Sequence, residues 1–113
     1  MSCACKQKDN TTITRRHQEI CDEIHQMYLQ KNEAYGDSFH DLYADLGIIS
    51  AVSQITHKYN RLKTLAKDKN QDIATNDESI VDTLLDMANY CIMTALEIER
   101  EQYGCACNSK QQE

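Results

Sequence analysis

Proline is absent from this 113-residue chain, and it has only three glycines, Gly36, Gly47 and Gly104. An all-β fold turns about every 8–12 residues and usually uses glycine and proline to do so. A chain with three breaks and no proline is therefore expected to be all-α. Its length fits one domain, able to bury roughly two thirds of its unfolded surface. Aromatic residues are 6% of the chain, with no Trp and one Phe, so a large aromatic core is excluded. Apolar residues at 41% and charged residues at 27% place it among globular chains.

The charge balance narrows the partners. Twelve Lys+Arg against 18 Asp+Glu give a formal net charge of −6. Generic DNA or RNA binding needs clustered cations, and no basic block is present. No apolar run is long enough to span a membrane. The N-terminus, MSCACKQKDN, has no apolar h-region, so a secretory signal is not expected and a reducing cytoplasm is the expected setting.

Hydrophobic spacing predicts three long helices and one short one. Ile13, Ile20, Ile24, Met27 and Tyr28 share a face, so a first helix is expected from Thr12 to about Glu33. Ala34–Phe39 reads as a turn, with Asp37 or Ser38 placed to cap the next segment. His40–Leu46 is a short amphipathic segment closed by Gly47 in a left-handed conformation. Ile48, Ala51, Val52, Ile55, Tyr59, Leu62 and Ala66 mark a second long helix. Thr75 and Glu78 match a capping box opening a last helix to Gln102, with Gly104 stopping it. The apolar arc of that helix (Val81, Leu84, Leu85, Ala88, Cys91, Ile92, Ala95, Leu96, Ile98) spans about half the wheel, as expected of a central helix packed on two sides. The expected organisation is a helical domain over 12–103 between Cys-containing flexible tails, 1–11 and 104–113. A homo-oligomer completing a larger bundle is expected.

One polar stripe borders the apolar arc. Asp82, Asp86 and Asn89 recur at i, i+4 and i+7 on the last helix. Two carboxylates one turn apart repel and persist beside a core when a cation joins them. Gln54, Lys58 and Arg61 recur in the same way on the second long helix. Lys31 continues the apolar face of the first helix, and Tyr35, Asp37 and Ser38 come shortly after it. Lys31, Lys58 and Arg61 can bind phosphate, Arg by forked contacts and Lys as a point charge. Asp82 and Asp86 have the oxygen chemistry that Mg²⁺ favours. The bland alternative is that Lys58, Arg61, Asp82 and Asp86 neutralise one another across a helix interface.

Taken in order, KNEAYGDSF (Lys31–Phe39), LGIISAVSQITHKYNRLKTL (Leu46–Leu65) and ESIVDTLLDMANYCIMTALE (Glu78–Glu97) resemble the nucleotide modification associated domain 1 family. These are small proteins frequent in phages and bacteria. The resemblance covers roughly residues 15–100. It is similar in outline to nucleotide pyrophosphatases of the MazG type, oligomeric helical proteins that hold Mg²⁺ with carboxylates from facing helices. By position, the resemblance implies metal-side and catalytic roles for Asp82 and Asp86, with Glu78 as a third metal-side acid. It leaves Glu19, Asp22 and Glu23 as the acids available for the other half of such a site. Asp82 and Asp86 are spaced i+4, whereas MazG-type sites use i+3. Residues and resemblance together point to a phosphorylated-nucleotide pocket between helices, with Mg-dependent pyrophosphohydrolysis as the activity. A non-catalytic module that sequesters a nucleotide signal and a purely structural protein–protein module are the alternatives.

Six cysteines remain to be placed. Cys3/Cys5 and Cys105/Cys107 form a C-A-C pair at each end. Four thiolates match the tetrahedral count of structural Zn²⁺; disulfides or plain tails are the alternatives. Cys21 and Cys91 are expected to pack as small residues. His17, His25, His40 and His57 form no ligand pair on one face and are expected at the surface.

Overall fold

The protein is described by a computed structural model that covers the backbone of residues 2–35, 37–67 and 73–112, and the side chains of residues 10–34, 37–67 and 79–102. The described residues form four helices and no strand: α1 (Ser2–Tyr35), α2 (Ser38–Leu46), α3 (Ile48–Lys67) and α4 (Ile73–Gln112). The all-α expectation holds. No helix of the described residues is long and apolar enough to cross a membrane.

Several boundaries differ from those the sequence predicts: α1 runs to Tyr35 and α2 starts at Ser38, so the segment expected as a turn, Ala34–Phe39, is helical at both ends. Helix α1 starts before Thr12. Helix α4 starts at Ile73, ahead of the expected cap at Thr75, and runs through Gly104 to Gln112. A single glycine inside a helix costs about 1 kcal/mol relative to alanine, which weakens a helix without ending it. The side chains of Thr75 and Glu78 lie outside the described residues.

The chain divides into two units, Met1–Gly36 and Asp37–Glu113. In the first, α1 carries local pairs. Arg16 meets Glu19 and Glu23, each at 3.2 Å, and the Gln18 amide donates to Asp22 at 3.1 Å. Glu23 and then Glu19 hold the Arg16 guanidinium in its charged form and raise its pKa.

In the second unit α3 packs along α4, and α2 packs on α3. Gly47 makes the turn between α2 and α3. Its N–H donates to the Tyr43 carbonyl at 2.7 Å, and its own carbonyl accepts from the Ser50 N–H at 3.1 Å and the Ser50 hydroxyl at 2.8 Å. Its φ of 76° with ψ of −163° is a region that essentially only glycine enters. The positive φ expected there is found, with an extended ψ in place of the left-handed helical one. At the start of α2, Asp37 occupies the N-cap position but makes no side-chain cap bond. Its carboxylate meets Arg100 at 3.5 Å, a partner the local sequence does not reveal.

The faces of α3 and α4 correct the expectation of a centrally buried last helix. On α4 the buried residues are Thr83, Asn89, Met93 and Glu97, while Val81, Leu84, Ile92, Leu96 and Ile98 are exposed. At about 100° per residue these sets fall on nearly opposite sides of the helix. On α3, Ser50 and Ala51 are buried and Gln54 and Lys58 half-buried, while Ile48, Ile49, Val52 and Tyr59 are exposed. The inner faces are therefore mixed: half-buried Ile55, Leu62 and Leu65 accompany Ser50, Ala51, Gln54 and Lys58 on α3, and Met93 accompanies Thr83, Asn89 and Glu97 on α4. Cys91, expected to be packed, is exposed with the apolar arc it belongs to, and Cys21 is exposed on α1.

Candidate functional site

Buried polar groups must be satisfied, or they cost about 1–3 kcal/mol each. On the inner face of α4 they are. The Thr83 hydroxyl donates to the Ser79 carbonyl at 2.7 Å, and the Thr94 hydroxyl to the Tyr90 carbonyl at 2.6 Å. No buried side-chain N or O of the described residues lacks a hydrogen-bond partner.

At the middle of the α3–α4 contact, Lys58 Nζ donates to Asp86 Oδ2 at 3.2 Å. Their side chains are 23% and 26% exposed, so the pair sits partly out of water yet can be reached from it. Asn89, three residues on from Asp86, is 3% exposed. Asp82, one turn before Asp86, is exposed, as is Arg61, one turn beyond Lys58. Arg61 lines an open hollow of about 400 Å³ on α3 with His57, Asn60, Thr64 and Leu65.

Of the residues singled out from sequence, the structure thus joins Lys58 to Asp86, the pairing that the bland alternative expects, and buries Asn89 on the same α4 face. Ser38 and Asp37 are exposed at the start of α2, and Lys31 is exposed on α1. The side chains of Tyr35, Glu78, Cys3, Cys5, Cys105 and Cys107 lie outside the described residues. Glu19, Asp22 and Glu23 are engaged by Arg16 and Gln18 on their own helix.

The donor set decides how a metal enters. Among the described residues no group of three or more His, Cys, Asp and Glu comes together, and one of the two candidate carboxylates is held by Lys58. Asp82 and Asp86 are the acids placed here, and the side chain of the third expected acid, Glu78, lies outside the described residues. A Mg²⁺ ion here would arrive with the phosphates that carry it.

Sequence reasoning missed a second polar cluster. His40 Nδ1 lies 2.6 Å from Glu97 Oε1. Arg100 Nη1 donates to Glu97 Oε2 at 3.1 Å and to Asp37 at 3.5 Å. Glu97 is 5% exposed. The cluster ties the start of α2 to α4, beside Phe39 against Tyr90 with ring centroids 5.8 Å apart. His40, expected at the surface, is instead half-buried on this carboxylate. Carrying the Asp82–Asp86–Asn89 stripe onward by four and four would have reached Glu97. Nearby, burial of Tyr43, reinforced by the charges of Glu101 and Glu97, raises its phenol pKa.

Comparison with curated proteins and with solved structures finds no match. Residues 31–98, more than half of the chain, match the family model described as nucleotide modification associated domain 1. The matched segment holds Lys58, Arg61, Asp82, Asp86, Asn89, His40 and Glu97. By that match over most of its helical core, the chain belongs to the nucleotide modification associated domain 1 family.

Proposed function

We propose that the protein binds a phosphorylated nucleotide at the polar face shared by α3 and α4. The observation that carries the reading is the Lys58–Asp86 pair, partly buried between two helices with Asn89 buried beside it on α4. Stability alone does not favour that arrangement. Taking two charges from water costs several kcal/mol per ion, and an apolar contact of similar volume is often neutral or better. A family associated with nucleotide modification supplies a reason to keep such a face.

In this reading the phosphates exchange with the Asp86 carboxylate for Lys58, and Arg61, one turn on, adds forked contacts. Asp86 and Asp82 then face the cation that accompanies the phosphates. Asn89 can hold the orientation of the bound group through its amide.

The test is equilibrium dialysis of the full chain against a panel of NTPs and dNTPs with MgCl2, followed by analysis of the recovered nucleotide. Saturable binding of at least one nucleotide, lost in Asp86→Asn while circular dichroism is unchanged, is expected. Release of pyrophosphate during the incubation would extend the reading from binding to hydrolysis. No binding across the panel overturns it.

A further inference from the structure

Six exposed or half-exposed positions on α4, Val81, Leu84, Ala88, Cys91, Ala95 and Ile98, recur at spacings of 3, 4, 3, 4 and 3. That is the period of a coiled-coil seam. It takes 17 steps along the helix from Val81 to Ile98, about 26 Å at 1.5 Å per residue. Leu85, Ile92 and Leu96 widen it along one side, and Ile92 is 51% exposed. The seam is not the face that packs on α3, which is carried by Asp86, Asn89, Met93 and Glu97.

Among the described residues of the unit 37–113, large apolar residues exposed to solvent outnumber the buried apolar ones, Tyr43, Ala51 and Met93. Single exposed apolar side chains are ordinary. A continuous stripe along a helix marks a contact.

The order of residue sizes identifies the partner. Read backwards, the seam complements itself. Val81 would face the partner's Ile98, Leu84 the partner's Ala95, and Ala88 the partner's Cys91. Leu84 meets a small Ala and the centre is small on both sides, so the helices can approach to about 8 Å there, with Val81 on Ile98 closing each end. A contact in which i meets j and j meets i is the signature of a two-fold axis. A parallel pairing would instead set Leu on Leu and Ala on Ala, leaving alternate bulges and gaps. An unrelated partner would require no match between the stripe and its own reversal.

We infer that two copies of this chain pair antiparallel through the Val81–Ile98 seam of α4. The inference does not depend on the nucleotide reading, since the polar stripe lies on the other side of the helix.

Sedimentation equilibrium of the full chain should give twice the 13.0 kDa chain mass. Leu84→Lys and Ala88→Glu should each shift it to the monomer with helical circular dichroism retained. Register is read by crosslinking. With all native cysteines replaced by serine or alanine, Leu84→Cys protein mixed with Ala95→Cys protein should form a mixed disulfide dimer under mild oxidation. Either protein alone should form at least tenfold less, and this readout stands even if a charged variant fails to fold. A monomeric wild-type chain overturns the inference. If Leu84→Lys then lowers its Tm, the stripe is covered by another segment of the same chain; if Tm is unchanged, the stripe serves a different protein or none. Disulfide dimers formed equally by the separate proteins overturn the antiparallel register.

Discussion

His40 Nδ1 and Glu97 Oε1, 57 positions apart in sequence, meet at 2.6 Å, and Arg100 holds the other oxygen of the same carboxylate at 3.1 Å. Both oxygens of a nearly buried acid are thus occupied, and the start of α2 is pinned to α4 through them. Removing the acid takes the partner from half-buried His40 and one of two partners from Arg100, which keeps Asp37, whereas removing His40 leaves Arg100 on the carboxylate. Glu97→Ala should lower unfolding free energy by about 2–4 kcal/mol, and His40→Ala by about 1 kcal/mol. Urea denaturation of the two variants checks both values. Equal losses would show that Arg100 does not hold the carboxylate.

Gly47 separates conformational cost from steric cost. A Cβ there would find nothing within 4 Å, so space does not explain the glycine. Its φ of 76° does. Gly47→Ala should cost about 1–3 kcal/mol through backbone strain alone. A change near zero in urea denaturation would mean the turn relaxes to a negative φ.

Tyr43 should report on folding at alkaline pH. Its folded pKa lies above the usual value of 10.0 because of burial first, then the Glu101 and Glu97 charges. The unfolded phenol therefore ionises before the folded one. Its contribution to stability is full below the unfolded pKa and falls as pH rises from there through the folded pKa. Ultraviolet titration should show one tyrosine ionising late, absent in Tyr43→Phe, and the wild-type chain should lose more stability above that pH than Tyr43→Phe does.

The fold class was legible because it depends on what the chain lacks: without proline and with few glycines, it has no turns to build a sheet. Helix α3 was legible from Gly47, which precedes it, and from the apolar stripe between Ile48 and Ala66. Which side of α3 and α4 would pack was not. An apolar arc reads as buried, but the arc locates only the surface that seeks a neighbour, without naming that neighbour. Lys58 and Asp86 could be paired from their positions beside the two stripes. The Glu97 cluster could not, because His40 reaches it through tertiary packing across 57 residues. Asp37 looked like a cap, yet its side chain goes to Arg100 on another helix, a choice that local propensity does not encode.

Structure and ligand recognition should separate at the pair itself. Replacing both charges by apolar residues of similar volume, Lys58→Met with Asp86→Leu, removes desolvation cost and attraction together, so stability should change by less than about 1 kcal/mol or rise. Asp86→Leu alone leaves the Lys58 ammonium half-buried without this carboxylate and should be the less stable protein. Thermal melts of the three chains give the order directly.

The most direct measurement is calorimetric titration of a Mg-nucleotide drawn from the dNTP and NTP panel into wild-type protein and into the Lys58→Met, Asp86→Leu double variant, after matched melting curves show both folded. Saturable binding to the wild type and at least a hundredfold weaker binding to the double variant is the expected result. Equal affinity in the two folded proteins, or none in either, would contradict a nucleotide site at the α3–α4 face.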